Sequence, residues 1–324
     1  MRLVYTADLH GDIDSYRALL ELAIATEARA AIVGGDLLPH AIKLQSAIQS
    51  QRDFITMQLR PLLATFREQH PSIAVYLLAG NDDWAAAITA LADLEQEELA
   101  YPLHERVYAL TPHIPGPARG ERGSRATAEV RVEEALWLAG YACVPMTPFS
   151  IKDYERRDDP STHSAGSGPD GPLPSFSFGM AYTSSSGSIQ LVDAATLASW
   201  PSIADDLSAL AQHSNPRRTI YVCHTPPAET ALDQMPRGRH VGSRALRAFI
   251  VGQQPLLTLH GHIHEAPDES GRYAIQLGGT WSVNPGHSPR RFQAVALDTD
   301  DLAGTIEHTV FGRLNPSTSS GRAV

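Results

Sequence analysis

Strand-like and helix-like spacings of apolar residues alternate through the first hundred positions. An apolar run over 2–7 reads as a strand. Ile13, Tyr16, Leu20, Ala23 and Ile24 then recur at the interval of a helix that extends to about Glu27. Ala30–Gly34 is the next buried strand and closes on Gly34-Gly35. A longer helical pattern, about Leu44 to Gln69, contains Pro61, whose missing N–H and fixed φ should kink or divide it. Ser72–Ala79 is a third strand, ending at Gly80, and the stretch from Trp84 to about Leu99 is again helical. Strand and helix in regular alternation predict an α/β architecture with a parallel sheet.

Beyond residue 100 the pattern becomes richer in strands. Short candidates lie at Arg106–Leu110, Arg131–Tyr141 and Phe176–Tyr182, then a helix from about Ala194 to Gln212, a strand at Arg218–Cys223, a helix at Ser243–Val251 and a strand at Leu256–His260. Arg272–Gly278, Phe292–Leu297 and Gly304–Val310 read as antiparallel strands. The late strands should therefore complete a second sheet or extend the first, both of them mixed. Two irregular stretches interrupt the pattern, near 111–125 and 160–188. In the second, Ser, Gly and Pro supply 18 of 29 residues, the composition of a mobile insertion. The reading is one domain over 1–311 with those two insertions and a frayed tail at 312–324, and no internal repeat.

Composition narrows the class. With 324 residues and 43% hydrophobic content, there is ample material for a packed core, which excludes disorder as the main state. A net charge of −10 argues against broad basic surfaces for nucleic acid. Two cysteines, Cys143 and Cys223, cannot make a disulfide framework or a four-thiolate zinc site and read as small buried residues. Residues 2–7 read directly as a strand, with no room for a signal peptide. No run of about 18 apolar residues suits a membrane span. The expectation is a cytoplasmic protein without a membrane partner.

Chemistry gathers at the strand ends. The first strand runs into Asp8-Leu9-His10-Gly11-Asp12, the second ends Gly34-Gly35-Asp36, and the third ends Gly80-Asn81-Asp82-Asp83. Arg218–Cys223 runs into His224-Thr225-Pro226-Pro227, and Leu256–His260 into Gly261-His262-Ile263-His264. Ligand sites of open α/β sheets form outside the carboxyl ends of strands. Each cluster alone is weak, since single histidines at strand ends are commonly structural. His262 and His264, two apart, would point the same way in extended chain, which suits ligation. Taken together, Asp8, His10, Asp36, Asn81, His224, His262 and His264 are seven oxygen or nitrogen donors. That is too many for one ordinary metal and fits two that share a carboxylate. Packing alone gives no reason for such a set beside small glycines.

The order of these motifs resembles the calcineurin-like metallophosphoesterase superfamily, whose pattern runs Asp-x-His, Gly-Asp, Gly-Asn-His, His, Gly-His-x-His. The resemblance spans residue 3 to about 300. It implies a two-sheet sandwich flanked by helices and two divalent cations, manganese, iron or zinc. Asp8, His10, Asp36 and His264 would hold the first cation. Asp36 would bridge to the second, completed by Asn81, His224 and His262. The implied chemistry is in-line attack on phosphorus by a metal-bridging hydroxide, without a covalent enzyme intermediate.

One position departs from that pattern: Asp82 stands where many members have a histidine thought to serve the leaving group. A carboxylate beside phosphate is repulsive when ionised and donates a proton only if its pKa is raised. Asp82 is accordingly the candidate catalytic position, and phosphodiesters or activated esters are the expected substrates. His240 and His287 are alternative donors. A prokaryotic branch of the superfamily is closer still, through Thr147-Pro148-Phe149, Lys152-Asp153, the His224 motif and Val241-Gly242-Ser243. There Ser243 is a candidate helix cap whose N-terminus could receive an anion. Arg237, Arg239 and His240 precede it and could meet phosphate. Asn284-Pro285-Gly286 is a turn. Asp12 and Asp83 could orient ligating histidines, but read better as acidic residues at helix starts. His40 and His260 are assigned to neither role. The leading function is a binuclear metal-dependent phosphodiesterase acting on a small phosphoester, no nucleic acid being expected. A phosphomonoesterase or nucleotide pyrophosphohydrolase follows, then protein phosphatase and nuclease. From a different class comes a non-catalytic metal-binding scaffold.

Overall fold

The computed structural model describes residues 1–40, 44–110, 135–159, 180–183 and 187–314. Its backbone is built on three parallel strands, β1 (Arg2–Thr6), β2 (Ala30–Gly34) and β3 (Ala74–Leu78). Tyr101–Pro102 continues this sheet in parallel beside β3, and Val295–Asp298 lies antiparallel beside β1. Glu307–His308 and Gly312–Arg313 complete seven strands, so the first two residues assigned to a tail are an edge strand. The second sheet has six strands, in the order Ala274–Leu277, Thr280–Val283, Leu257–Leu259, Thr219–Cys223, Leu136–Tyr141, Val107–Leu110. Its four central strands are parallel and its two edges antiparallel. The architecture is thus α/β, two mixed sheets flanked by helices.

Side-chain alternation explains why the sheets stack. Leu3 and Tyr5 of β1, Ala30 and Ile32 of β2, and Ala74, Tyr76 and Leu78 of β3 enter the core shared with Leu138, Ile220, Val222, Leu257 and Leu259 of the second sheet. Their neighbours Val4, Ala31, Val33, Val75 and Leu77 face the other way, onto Tyr16, Leu19, Leu20, Phe54, Leu59, Leu63 and Phe66 of the covering helices. Strands buried on both faces read as continuous apolar runs, which is how β1, β2 and β3 appear in the sequence.

Helix boundaries follow local chemistry. The helix Ile13–Ala25 starts at Asp12, whose side chain accepts from Asp14 N and Ser15 Oγ. The long pattern around Pro61 is divided: Leu44–Phe54 and Arg60–Gln69 are joined by a π-helical turn, Ile55–Leu59. A wider turn accommodates a ring that cannot donate to the preceding turn. Ala194–Gln212 is not one helix but two, Ala194–Ser199 and Ile203–Leu210, broken at Trp200-Pro201 and restarted by a Ser202–Asp205 capping box. Trp84–Leu99 likewise divides into Ala85–Ile88 and Leu91–Gln96.

The insertion expected at 111–125 lies outside the described residues, as do 160–179 and 184–186 of the second insertion. Met180–Thr183 is described and pairs antiparallel with Ile189–Val192. Cys143 and Cys223 are buried free thiols. No helix among the described residues is long and apolar enough to cross a membrane.

The Thr-Pro-Phe and Lys-Asp segment is structural. Lys152 and Glu155 are wholly buried, with Lys152 Nζ 2.7 Å from Glu155 Oε2. The ammonium also donates to the carbonyls of Thr147 (3.0 Å) and Phe149 (2.5 Å), and Glu155 accepts from the Thr147 N–H and hydroxyl. A pair so fully bonded offsets much of its desolvation, whereas removing one partner typically costs about 3–5 kcal/mol. Asp153 accepts from Ala85 N and from Thr183 N and Oγ1, tying the Trp84 loop to the ribbon at 180–183.

Candidate metal centre

Loops leaving the carboxyl ends of β1, β2, β3, Thr219–Cys223 and Leu257–Leu259 meet along one edge of the sandwich. The first two run side by side. Asp8 N–H donates to Gly35 O (2.9 Å), His10 N–H to Asp36 O (2.8 Å) and Gly11 N–H to Leu37 O (3.0 Å). Close quarters force unusual backbone: Asp8, His10, Asp36 and His262 have φ of 60°, 45°, 49° and 66°. Aspartate and histidine tolerate this left-handed region better than most, and such strain persists where surrounding structure imposes it, often at functional sites.

Glycines make room for the donors. A Cβ on Gly35 would stand 2.0 Å from His224 Nδ1, one on Gly80 2.2 Å from Asp36 Oδ1, and one on Gly261 2.6 Å from Asp8 Oδ2. Each of these glycines directly precedes a donor in sequence, and each permits a donor from another loop to approach its backbone.

Two groups of donor atoms result, each with its atoms within 4.8 Å of one another: Asp8, His10, Asp36 and His264, and Asp36, His224 and His262. Asp36 belongs to both. Its Oδ1 accepts from Asp82 N (2.9 Å), while its Oδ2 lies 3.3 Å from His224 Nε2 and 4.0 Å from His10 Nε2. Asp8 takes the His262 N–H on both oxygens (3.0 and 3.1 Å) and approaches His264 Nε2 at 3.4 Å. His224 Nδ1 faces Gly34 O at 2.9 Å. Donation to a carbonyl fixes the proton on Nδ1 and leaves Nε2 as the ligating nitrogen. Asn81 is held beside Asp36 by the bond from the next residue, and its Nδ2 faces Asp82 Oδ1 at 3.3 Å.

This set fits divalent cations on several independent grounds. Asn81 Oδ1 and His224 Nε2 are buried with no hydrogen-bond partner, an arrangement that costs roughly 1–3 kcal/mol per group unless something else satisfies it. His10 Nε2 and His264 Nε2 face each other at 3.3 Å, so two lone pairs converge where at most one proton can serve both. Imidazole and oxygen donors without thiolate suit manganese, iron or zinc.

The electrostatics are those of opposite charges buried side by side. Burial alone would raise both aspartates, but His264 and His224 outweigh it at Asp8, holding it at about 2. His224 and His10 do the same for Asp36, which lies well below the usual carboxylate range. Burial would lower His224 and His264, yet Asp36 and Asp8 draw them up to about 9. His10 and His262, where burial prevails, fall to about 4 and about 3. At Asp82 burial and then Asp36 push the carboxyl up to about 7.

The other sequence candidates separate cleanly. His287 is brought to the site, its ring 5.1 Å from that of His264 and 5.7 Å from that of His10. His240 is paired through Nδ1 with Asp233 Oδ1 at 2.8 Å. Arg237 and Arg239 lie exposed on the same loop. Ser243 does cap its helix, Arg244–Gln253, through Leu246 N, but the anion at that N-terminus is the chain's own Asp158. Asp158 accepts from Ser243 Oγ (2.5 Å), Arg244 N (2.8 Å) and Ala245 N (3.2 Å). Asp12 is a helix cap, as read. Asp83 is neither a helix-start charge nor a histidine orienter: it is wholly buried and accepts from Leu37 N, Leu38 N and Gly80 N, riveting the second loop to the third. Asn284 forms the expected turn by accepting from Gly286 N, and its Nδ2 faces the carbonyls of Leu232, Gly261 and Ile263. His260 is buried and structural, pushed down to about 4 by its burial, with Nδ1 facing Cys223 O and Thr225 O.

Sequence reasoning gave His40 no role, and the structure places it beside the site. Its ring stacks on His10, centroids 4.4 Å apart and planes 21° from parallel, and its Nδ1 lies 3.6 Å from Asp82 Oδ2. His40 belongs to no periodic element, and the only signal was its position four residues after Asp36.

Searches against protein-family models and against curated proteins return no match. Solved structures do match in fold. One superposes with a TM-score of 0.57 at 15% sequence identity, covering 96% of this chain and 99% of its own. Another, TT1561 of Thermus thermophilus, gives 0.53 at 18% identity, covering 96% and 98%. A novel archaeal phosphodiesterase aligns over 95% of this chain at 10% identity with a TM-score of 0.37, too distant to inform this chain. The likeness extends over nearly the whole chain and concerns the fold.

Proposed function

We propose that this chain is a phosphoester hydrolase operating with two divalent cations, manganese, iron or zinc, and preferring small phosphodiesters. The observation that carries the reading is the pair of donor groups sharing Asp36. Asp8, His10, Asp36 and His264 would hold one cation, and Asp36, Asn81, His224 and His262 the other. Bound there, divalent cations would lower the pKa of water and neutralise charge on phosphoryl oxygens. The chain's own residues fix the rest. His224 is oriented by Gly34 O, and Asp8 is held by the His262 amide, so these donors need little rearrangement to bind. In its ionised form Asp82, partly exposed at the margin, would repel a phosphomonoester, with its higher charge, more than a diester. That asymmetry favours diesters.

The scaffold alternative keeps the cations but has no turnover. Metal analysis should find about two ions per chain. Bis(p-nitrophenyl) phosphate should be hydrolysed with added manganese, and Asp36→Asn should abolish both second-ion binding and turnover, a loss of at least about 10³-fold. Bound metal with no ester turned over would select the scaffold reading. With an acidic chain and two buried free thiols, the proposed setting is cytoplasmic, with a single domain that runs through the edge strand Gly312–Arg313 and no nucleic-acid partner.

A further inference from the structure

Beside the donor groups lies a third convergence that shares His10 with the first: His10, His40 and Asp82, also with one atom from each within 4.8 Å of one another. His10 already presents Nε2 to His264 and Asp36. What remains is a pair, His40 and Asp82, supplied by different loops and set at the mouth of the site. The His40 side chain is 63% accessible while that of Asp82 is 22%, so the imidazole is the outer member.

The pair is placed by construction. The loop after β2 is riveted by Asp83 through Leu37 N and Leu38 N, three and two residues before His40. The same carboxylate binds Gly80 N, two residues before Asp82. Gln51, a fully buried amide, reaches both loops: its Nε2 donates to Asp82 O (3.0 Å) and lies 3.4 Å from Pro39 O, while its Oε1 accepts from Trp84 N (2.9 Å). Two buried side chains therefore fix the relative position of the segments carrying His40 and Asp82. On its inner face the imidazole is stacked flat on His10. With Nδ1 beside the Asp82 carboxyl, Nε2 is the ring nitrogen left to donate.

We infer that His40, positioned by Asp82, contacts the substrate and donates a hydrogen bond to the oxygen that leaves phosphorus. The inference rests on the phosphoester reading and deepens it. With Asp82 Oδ2 beside the ring Nδ1, the carboxyl can hold the imidazole while a ring N–H makes that contact. The 3.6 Å separation from Asp82 would shorten around bound substrate, as such contacts commonly do. In the reaction one P–O bond forms to the oxygen of water and one breaks. The electron pair of the broken bond goes to the leaving oxygen, where the His40 N–H meets the developing charge. Water gives up one proton and the departing alcohol takes one, so nothing is oxidised or reduced.

The test uses the full chain loaded with manganese and a series of methyl aryl phosphodiesters of differing leaving-group pKa, with calorimetric titration of inorganic phosphate as a second readout. His40→Ala should lose about tenfold on the p-nitrophenyl ester and about a hundredfold on the phenyl ester, steepening the dependence on leaving-group pKa. Phosphate should bind about tenfold more weakly, with manganese content unchanged. His40→Gln, which keeps an N–H donor, should recover part of both. An unchanged slope together with unchanged phosphate affinity in His40→Ala would overturn the inference while leaving hydrolysis by the parent chain intact. Loss of manganese in that variant would overturn it too, by making His40 a ligand. If the parent chain hydrolyses no ester, the phosphoesterase reading fails instead. Phosphate affinity then decides His40 alone: weaker binding supports an oxyanion contact and equal binding overturns it.

Discussion

Gly35 has φ 118° and its missing side chain would occupy the place of the His224 imidazole. Alanine there would pay twice, for a backbone conformation L-residues avoid and for displacing a donor that is wholly buried. Gly35→Ala should therefore lower stability by about 2–4 kcal/mol and bring bound metal below two ions per chain, read by denaturation and metal analysis. A stable variant with full metal content would show that His224 is not required at that spot. At this scale the sequence was highly informative about donors and poor about what holds them. Asp8, His10, Asp36, His224, His262 and His264 announce themselves because glycine and strand ends surround them. Gln51, Asp83 and Asp158 do not, because a buried carboxylate or amide satisfied by backbone N–H groups from distant segments has the same letter as one at the surface. His40 stayed without a role for a related reason, since its partner Asp82 is 42 residues away in sequence.

Among the elements, apolar periodicity located β1, β2, β3 and Ile13–Ala25 almost to the residue, since buried faces impose a regular spacing. It failed where a short element is enclosed by loop-like residues. Thr280–Val283, between Gly279 and Asn284, shows no strand signal in the sequence, although it pairs in parallel with Leu257–Leu259 and is buried throughout. Pro201 leaves no mark on the apolar spacing, because the stripe resumes on its far side. The helix Arg244–Gln253 offers a test at this level. Its N-terminus is served by Ser243 and by Asp158, which comes from 86 residues earlier. Asp158→Ala should destabilise by about 1–3 kcal/mol, seen as a lower urea midpoint at unchanged slope. Asp158→Asn should retain part of that contribution, since an amide oxygen still accepts. Equal stability of parent and Asp158→Ala would mean that Ser243 alone suffices.

For the molecule as a whole, histidines outside the metal centre add an acid-sensitive contribution to stability. Burial, and next the Arg156 charge, hold His104 well below its ordinary value. Its Nδ1 accepts from Ala142 N at 3.2 Å, so the folded state keeps it neutral. His308 is also lowered, by burial, against the opposing pull of Pro285 O. For a histidine depressed in the folded state, the unfolded chain binds the proton more readily. The stability this provides is complete above the unfolded value of about 6.5 and is lost as pH falls below it. For His104 the slope should be less than about 1.4 kcal/mol per pH unit, since 23% of its side chain still meets water. Between pH 7 and 5 the parent should therefore lose stability relative to His104→Gln, read as the difference between their denaturation midpoints. A parallel decline in the variant would assign acid sensitivity elsewhere.

The bonds from His224 to Gly34 and from His262 to Asp8 join the two sheets at the metal centre. A chain still emerging from synthesis has Asp8, His10, Asp36 and Asn81 long before His224, His262 and His264 exist. A cation met at that stage finds only half a cage, with two aspartates and no opposing imidazoles beyond His10. Full capture must await closure of the sandwich by strands more than two hundred residues apart in sequence, a slow topology to assemble. Any metal loading would then be a late event in the life of each molecule, following closure of the sandwich.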